Sequence, residues 1–240
     1  MKMKLKQIES AKMNDIILVA SLPDMGRVGG LVSNFLAKQL DTKLVAEIES
    51  IEKPWVTYEN GIANLHVDTY KIFADKQNSI VVFTGDTQPQ DTRELYELCD
   101  LLLDTVQRYG NVKRLYTSGG YLKQEVIGEP KVYGTANNAN LLSELDKYNI
   151  ARLGNEVNSI TWFNGLILGT AAKRGIEGIG LFGEIDNPSI PQHLAAKSIV
   201  KVIARMINTE INTKELEQQH MGIVAGEVTK EDTGFTPGVA

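Results

Sequence analysis

The chain has 240 residues, with 25 basic and 30 acidic side chains and a formal net charge of −5. A hydrophobic content of 42%, with no apolar run long enough to span a bilayer, is typical of a globular protein with a sizeable core, and the acidic balance disfavours sequence-independent binding to nucleic acid. The single cysteine, Cys99, excludes an internal disulfide and indicates a reducing compartment, so we expect a cytoplasmic protein. From the acidic charge and the short apolar runs, we expect it to bind neither nucleic acid nor membrane.

Strand-like and helix-like patterns alternate along the chain. Ile16–Ala20 is a short apolar run typical of a buried strand, and Asp91–Gly110 is the clearest helix because its apolar residues recur at helical spacing before a glycine. In chain order, the predicted elements are a strand at Ile16–Ala20, a helix at Val28–Leu40, a strand at Lys43–Glu49, a hairpin around Asn60-Gly61, a strand in Ser79–Asp86, a helix at Asp91–Gly110, a strand in Val112–Tyr121, helices at Ala139–Tyr148 and Gly165–Arg174, a strand at Gly178–Glu184, and helices at Gln192–Asn208 and Thr213–His220.

This alternation, without any linker rich in proline, serine or charge, predicts a single α/β domain over residues 1–220. We expect three layers: a mixed, mostly parallel sheet with helices on both faces. The hairpin around Asn60-Gly61 is expected to supply the antiparallel part of that sheet. Residues 221–240 show no convincing period and are predicted to form a C-terminal tail.

A glycine-rich turn joins the first predicted strand to the first predicted helix. The spacing of Gly26, Gly29 and Gly30 departs from the G-x-G-x-x-G dinucleotide fingerprint, and a G-x-x-x-x-G-K-[ST] phosphate loop is absent from the sequence. The free N–H groups of the helix could still attract an anion. The spacing favours a structural turn in which Gly29 and Gly30 let the helix pack closely on the sheet, and we predict that no nucleotide binds there.

Other catalytic patterns are weak. The histidines, His66, His193 and His220, show no pair at metal-ligand spacing, and no G-x-S-x-G nucleophile motif occurs. Cys99 falls on the apolar face of a predicted helix, which is typical of an inert core thiol. The sequence therefore predicts no catalytic residue, no metal and no cofactor.

Carboxylates follow three of the predicted strands. Asp24, Asp86 and Glu184 each come directly after a buried-strand pattern, and Gly119-Gly120-Tyr121 ends another. Because ligands of open α/β sheets bind at the carboxyl ends of parallel strands, these residues are expected to share one rim. Two interpretations remain open: a site for a small ligand or Mg²⁺, or aspartates that merely cap turns and helices.

Several stretches, in order, resemble one family. They are LPDMGRVGGLVSNFL, VVFTGDTQP, YTSGGY, PKVYGTANN, ITWFNGLILGTAAKRGIEGIGLFGE and PSIPQHLAAKSIV. Together they resemble the proteasome assembly chaperone family, and more closely its archaeal and bacterial homologues, from about Ile16 to Asn208. The most specific pieces are Gly85–Pro89 and Gly119-Gly120-Tyr121.

The resemblance implies a fold similar to that of nucleoside phosphorylases and hydrolases, without established catalysis, and members that form oligomers and in some cases engage proteasome α subunits. Activating members end in a hydrophobic–tyrosine–any tripeptide. This chain ends in Gly238-Val239-Ala240, with Val239 at the tyrosine position, so we expect any proteasome contact to come from the folded domain. The segment around Trp162, Phe163, Leu166 and Ile167 is expected to contribute to a homo-oligomer.

Two functions follow as hypotheses. The first is a non-enzymatic, chaperone-like scaffold that binds proteasome α subunits or a paralogous chaperone. The second is an enzyme, either a nucleoside phosphorylase or hydrolase or an ATP-dependent ligase, that uses the rim. The candidate ligand-binding residues at the rim are Asp24, Asp86, Gln88, Tyr121 and Glu184. The glycines predicted to be structural are Gly26, Gly29, Gly30, Gly85, Gly119 and Gly120.

Overall fold

The computed structural model describes residues 3–225, except 52 and 54. The strands are β1 (Lys4–Gln7), β2 (Ile16–Ala20), β3 (Lys43–Ser50), β4 (Val56–Glu59), β5 (Ile62–Leu65), β6 (Asp68–Asp75), β7 (Ile80–Gly85), β8 (Val112–Leu122), β9 (Val132–Ala136), β10 (Ala151–Arg152) and β11 (Gly178–Ile185). The helices are α1 (Val28–Gln39), α2 (Thr92–Tyr109), α3 (Leu142–Lys147), α4 (Trp162–Lys173), α5 (His193–Met206) and α6 (Lys214–Val224).

Nine strands form the main sheet, in the order β1-β3-β6-β7-β2-β8-β11-β9-β10. The four central strands, β7, β2, β8 and β11, are parallel neighbours. On one side β6, β3 and β1 join antiparallel, and on the other β9 is antiparallel to β11 and parallel to β10. The mixed sheet is confirmed, but "mostly parallel" is wrong, because four of the eight strand pairs of this sheet are parallel and four are antiparallel.

The predicted hairpin exists but lies elsewhere than expected. β4 and β5 pair in a separate two-stranded sheet, joined by Asn60 and Gly61, whose φ angles are 51° and 86°. Positive φ at both turn residues is the hairpin geometry that an Asn-Gly pair favours. The hairpin therefore contributes nothing to the mixed character of the main sheet, and that part of the prediction is wrong.

Helices cover both faces of the main sheet, which confirms the three-layer prediction. On one face, α2 and α4 pack on the sheet through residues such as Leu98, Leu102 and Phe163. On the other face, α1 and α5 do so through Leu36 and Ile199, with α3 and α6 at the edges of the same core. Cys99 is fully buried in the first of these cores, and burial raises the pKa of its thiol far above its ordinary value, so it is an inert core residue.

Element boundaries follow local chemistry. Asp91 caps α2 by accepting hydrogen bonds from the Arg93 and Glu94 N–H groups. Helix α4 begins three residues before the predicted start, and α6 continues to Val224, past the boundary expected at residue 220. The rest of the predicted tail, including Gly238-Val239-Ala240, lies outside the described residues. In the described part of the chain, every helix is too short or too polar to cross a membrane.

Candidate functional site

The candidate site lies at the carboxyl ends of the four parallel strands. Asp24 follows β2, Asp86 follows β7, and Tyr121 and Glu184 lie in register near the ends of β8 and β11. Because these strands are parallel, all four residues lie at the same edge of the sheet. A cavity of about 640 Å³ opens there, lined by Asp24, Tyr121 and also Gln88.

The predicted rim residues do not all meet at one point. Asp86 does not line this cavity; it lines two other clefts, beside Asn34 of α1. Glu184 accepts hydrogen bonds from the Lys131 N–H and the Tyr133 hydroxyl, each at 3.0 Å. Among the described residues, no three His, Cys, Asp or Glu side chains converge on a position that could hold a metal ion. The rim carboxylates are thus separate groups rather than a Mg²⁺ cluster.

Asp24 ties three elements together. One carboxylate oxygen accepts the Gly29 N–H of α1 at 2.8 Å, and the other accepts the Gly120 N–H of β8 at 2.6 Å. Loss of water around this carboxylate raises its pKa to about 7, although the two N–H groups act in the opposite direction. The side chain therefore caps the first turn of α1 and fixes it against β8, while a partly exposed edge faces the cavity.

The glycine turn is a point of very close packing. A Cβ at Gly29 would lie 2.5 Å from the Leu22 carbonyl oxygen and 2.7 Å from both the Ser118 carbonyl oxygen and Asn164 Nδ2. A Cβ at Gly120 would lie 2.6 Å from the Met25 carbonyl oxygen. Only residues without a side chain let α1 approach β8 so closely, because the atoms in the way are mostly backbone. This geometry supports a structural role for the turn.

Two amide side chains hold the cavity floor. Gln88 donates from Nε2 to the Pro23 carbonyl at 2.6 Å and accepts the Phe163 N–H at 3.0 Å, so it connects the loops after β7 and β2 to the start of α4. Asn164 exchanges two hydrogen bonds of 2.9 Å with the backbone of Leu22. The sequence analysis missed Asn164; the signal available was a polar residue in the apolar start of α4.

Aromatic side chains form the wall of the cavity. Trp162 is 47% exposed and has φ of +60°, an unusual backbone conformation for a bulky residue. Tyr121 donates a hydrogen bond to Glu156 and lies under the Lys123 ammonium, 4.1 Å from the ring centroid. The wall is thus apolar, and the hydroxyl of Tyr121 is already engaged.

The segment predicted to form an oligomer contact is mostly core. Phe163 and Ile167 are fully buried and Leu166 is partly buried against the same core, so these three cannot supply an exposed patch. Trp162 alone among the four predicted residues is exposed. The prediction that this segment offers a contact surface is wrong, because its apolar side chains pack α4 onto the sheet.

Among the described residues, exposed large apolar side chains are concentrated on the hairpin, which we call the arm (residues 55–67). Its register places four apolar residues on one face: Val56 opposite Leu65 and Tyr58 opposite Ala63. Val56 is 53% exposed, Leu65 57% and Tyr58 77%. The sequence analysis missed this face, although the alternation of apolar and polar residues on both sides of the Asn-Gly turn carries the signal.

The base of the arm is fixed by one buried carboxylate. Asp68 accepts hydrogen bonds from Lys53 Nζ at 2.8 Å and Thr87 Oγ1 at 2.9 Å, and His66 Nε2 lies 3.2 Å away. Burial alone would raise the pKa of Asp68, but these partners outweigh it and hold the pKa below its ordinary value. Since Thr87 precedes Gln88, the base of the arm and the cavity share one loop.

The protein is therefore of the three-layer α/β class, with a close-packed glycine turn at the carboxyl ends of its parallel strands. The PAC2 family model matches residues 18–225. This match spans most of the chain, which therefore belongs to the PAC2 family, and it bears out the resemblance found in the sequence.

Known relatives cover nearly the whole chain. An uncharacterized protein of Methanocaldococcus jannaschii is 28% identical over 223 residues, which are 92% of this chain and 84% of that protein. The crystal structure of PbaB, an archaeal proteasome activator from Pyrococcus furiosus, is similar with a TM-score of 0.81 and 25% identity over 94% of this chain and 98% of PbaB. PbaA of the same organism, an archaeal homolog of proteasome-assembly chaperone, shares the fold with a TM-score of 0.76 and 20% identity over 93% and 94% of the two chains.

Proposed function

We propose that this protein is a non-enzymatic, cytoplasmic, proteasome assembly chaperone-like scaffold that acts as a homo-oligomer and binds proteasome α subunits or a paralogous chaperone. Membership of the PAC2 family and the similarity to PbaB over nearly the full length of both chains support this role. The likeness to the nucleoside phosphorylase fold remains part of the proposal as the architecture on which such a scaffold is built.

One structural observation carries the preference for binding over catalysis: Asp24 and Gln88, the polar side chains of the cavity, bond to the protein itself. Both oxygens of Asp24 accept backbone N–H groups, and both ends of the Gln88 amide are bonded. A catalytic acid or base has to present a free position to its substrate. In this cavity the groups that would do so hold loops and helix starts together.

A second candidate function, an enzyme that uses the rim, has one observation in its favour. Asp24 lines a cavity of about 640 Å³ and has a pKa of about 7, which is where a general acid or base works best. A nucleoside or ATP would have to bond to a carboxylate whose two oxygens each already accept a backbone N–H. We therefore rank this function second.

The test combines a pull-down with a binding screen on the same full-length protein. Tagged protein is incubated with proteasome α subunits, and separate calorimetric titrations use ATP and nucleosides. We expect α subunits to be captured and no heat from nucleotide. A chain lacking Gly238-Val239-Ala240 should capture them equally well, because Val239 offers neither the ring nor the hydroxyl of a terminal tyrosine.

The opposite outcome is equally clear. Failure to capture α subunits, together with micromolar nucleotide binding that Asp24→Asn abolishes, would replace the scaffold with the enzyme. Loss of capture on removing the last three residues, with the oligomer intact, would move the contact from the folded domain to the C-terminus.

A further inference from the structure

One face of the arm is apolar and exposed to solvent. Val56 and Leu65 are directly opposite each other, as are Tyr58 and Ala63, and all four are exposed. The other face carries Thr57, Glu59, Ile62 and Asn64. A hairpin that is apolar on one side and mostly polar on the other normally covers a core with its apolar side. Here the body of the protein leaves that side uncovered.

The stability of the arm also points to a missing layer. An isolated two-stranded hairpin is marginal in water unless another layer packs on it. The arm pairs with no strand of the main sheet, and its base is held through Asp68. Its exposed apolar side chains present an area on the order of several hundred Å², as much as the largest patch on a typical monomer.

The distribution of charge favours this face, over the rest of the surface, for contact between two copies of the chain. The chain carries a net charge of −5, so two copies repel each other wherever charged surfaces meet. The apolar face of the arm carries no acidic or basic side chain, and Glu59, the arm's acidic residue, lies on the opposite face. A face without charge is complementary to itself, which is what a two-fold contact between identical chains requires.

The area agrees with this occupant. A stable interface buries about 800 Å² on each partner, and contacts between identical chains are more apolar than most. The four-residue face of Val56, Tyr58, Ala63 and Leu65 supplies part of the apolar centre of such an interface.

We propose that the arm is the surface through which two copies of this chain associate, the apolar face of one arm packing on the same face of the other about a two-fold axis. The contact rests on the oligomeric part of the proposed function and gives it a location. Tyr58, the most exposed aromatic residue on the face, is the anchor of the contact, with Leu65 and Val56 beside it.

Sedimentation equilibrium of the full chain between about 0.1 and 100 μM tests this contact, against a chain mass of 26.5 kDa. We expect the wild type to associate and the double variant Tyr58→Glu, Leu65→Glu to bind itself at least about 100-fold more weakly. The matched control, Thr57→Glu with Asn64→Glu, places the same charges on the opposite face of the same strands and should associate like the wild type.

A mixing experiment separates contact between two arms from contact between an arm and the body. Tyr58→Glu and Tyr58→Lys should each be monomeric alone, and their mixture should form a dimer, because the opposite charges then meet across the axis. A monomeric wild type, an unaffected double variant, or a mixture that stays monomeric would each overturn the proposal. Circular dichroism of every variant checks that the body remains folded.

The same variants keep this proposal distinct from the proposed function. If the wild type dimerises through its arms but captures no α subunits, the arm contact stands and the scaffold function fails. If the wild type captures α subunits without associating through the arm, the function stands and the contact fails.

Discussion

The rim and the arm differ in whether their side chains have partners within the protein. At the rim, Asp24, Gln88 and Asn164 are polar groups whose hydrogen bonds are made within the protein. On the arm, Val56, Tyr58 and Leu65 are apolar groups that remain in water. Polar residues after strands attract attention as a possible active site, yet here their bonds are structural. The apolar side chains that pack against nothing in their own chain are those of the arm.

The largest expected effect tests how tightly the rim is packed. Gly29→Val would place its side chain against two backbone carbonyls and the Asn164 amide, so we expect a loss of at least about 3 kcal/mol in the free energy of unfolding, measured with urea. The control is Gly169→Ala in α4, where an added Cβ meets nothing within 4 Å; it should be neutral or stabilise by about 0.5–1 kcal/mol. Equal effects at the two positions would show that the rim is not close-packed.

The next effect tests the electrostatics of Asp24. Its pKa is raised from 3.8 to about 7 in the folded state, so between those values the folded protein holds a proton that the unfolded chain releases. Stability therefore falls as the pH rises through this window and is level above about pH 7. Between pH 5 and pH 7.5 the wild type should lose roughly 2 kcal/mol more than Asp24→Asn, as measured by urea unfolding. Parallel profiles for the two proteins would contradict the raised pKa.

A smaller effect is expected at the base of the arm. Asp68→Asn removes the charge that faces Lys53 and should cost about 1 kcal/mol, because that ion pair is mostly buried. It should also speed chymotryptic cleavage within the arm, after Trp55, Tyr58 or Leu65. Since the pKa of Asp68 is lowered, its contribution is present above the ordinary carboxyl pKa and disappears as the pH falls below it. Asp146→Asn, which breaks an exposed pair with Arg152, is the control and should change little.

The smallest effect sharpens the contrast. Tyr58→Glu should change the free energy of unfolding of the dilute, monomeric protein by less than about 0.5 kcal/mol, since its ring already lies in water. Thermal unfolding at low protein concentration measures this. A large loss would mean that Tyr58 packs within its own chain and is unavailable to a partner.

Sequence periodicity was sufficient for elements whose neighbours are encoded locally. The helix between Asp91 and Gly110 was predicted almost to the residue because its cap, apolar stripe and terminal glycine all lie within the segment. Strands β1 and β10 were missed, since they are short and mostly polar and exist only by pairing with β3 and β9. Such pairing is a tertiary effect that local propensity does not report.

The site shows the same limit. The strand-end pattern led to Asp24 and Asp86, but it could not show that they line different cavities, nor that each oxygen of Asp24 accepts a backbone N–H. The hairpin was predicted from Asn60-Gly61, whereas its separation from the main sheet depends on β3 pairing directly with β6. Strand pairing, cavity lining and hydrogen bonds to distant backbone groups depend on the tertiary structure and cannot be predicted from the spacing of residues in the sequence.

The central claim is that the polar groups of the rim are bonded within the protein and that the arm is the binding surface. Hydrogen–deuterium exchange on the full chain, at protein concentrations below and above those at which it associates, tests this claim. We predict that the Gly29 and Gly120 amides exchange slowly at both concentrations, and that the arm amides slow markedly only in the associated sample. Arm exchange that is independent of concentration, with rim amides that exchange fast until nucleotide is added, would contradict the account.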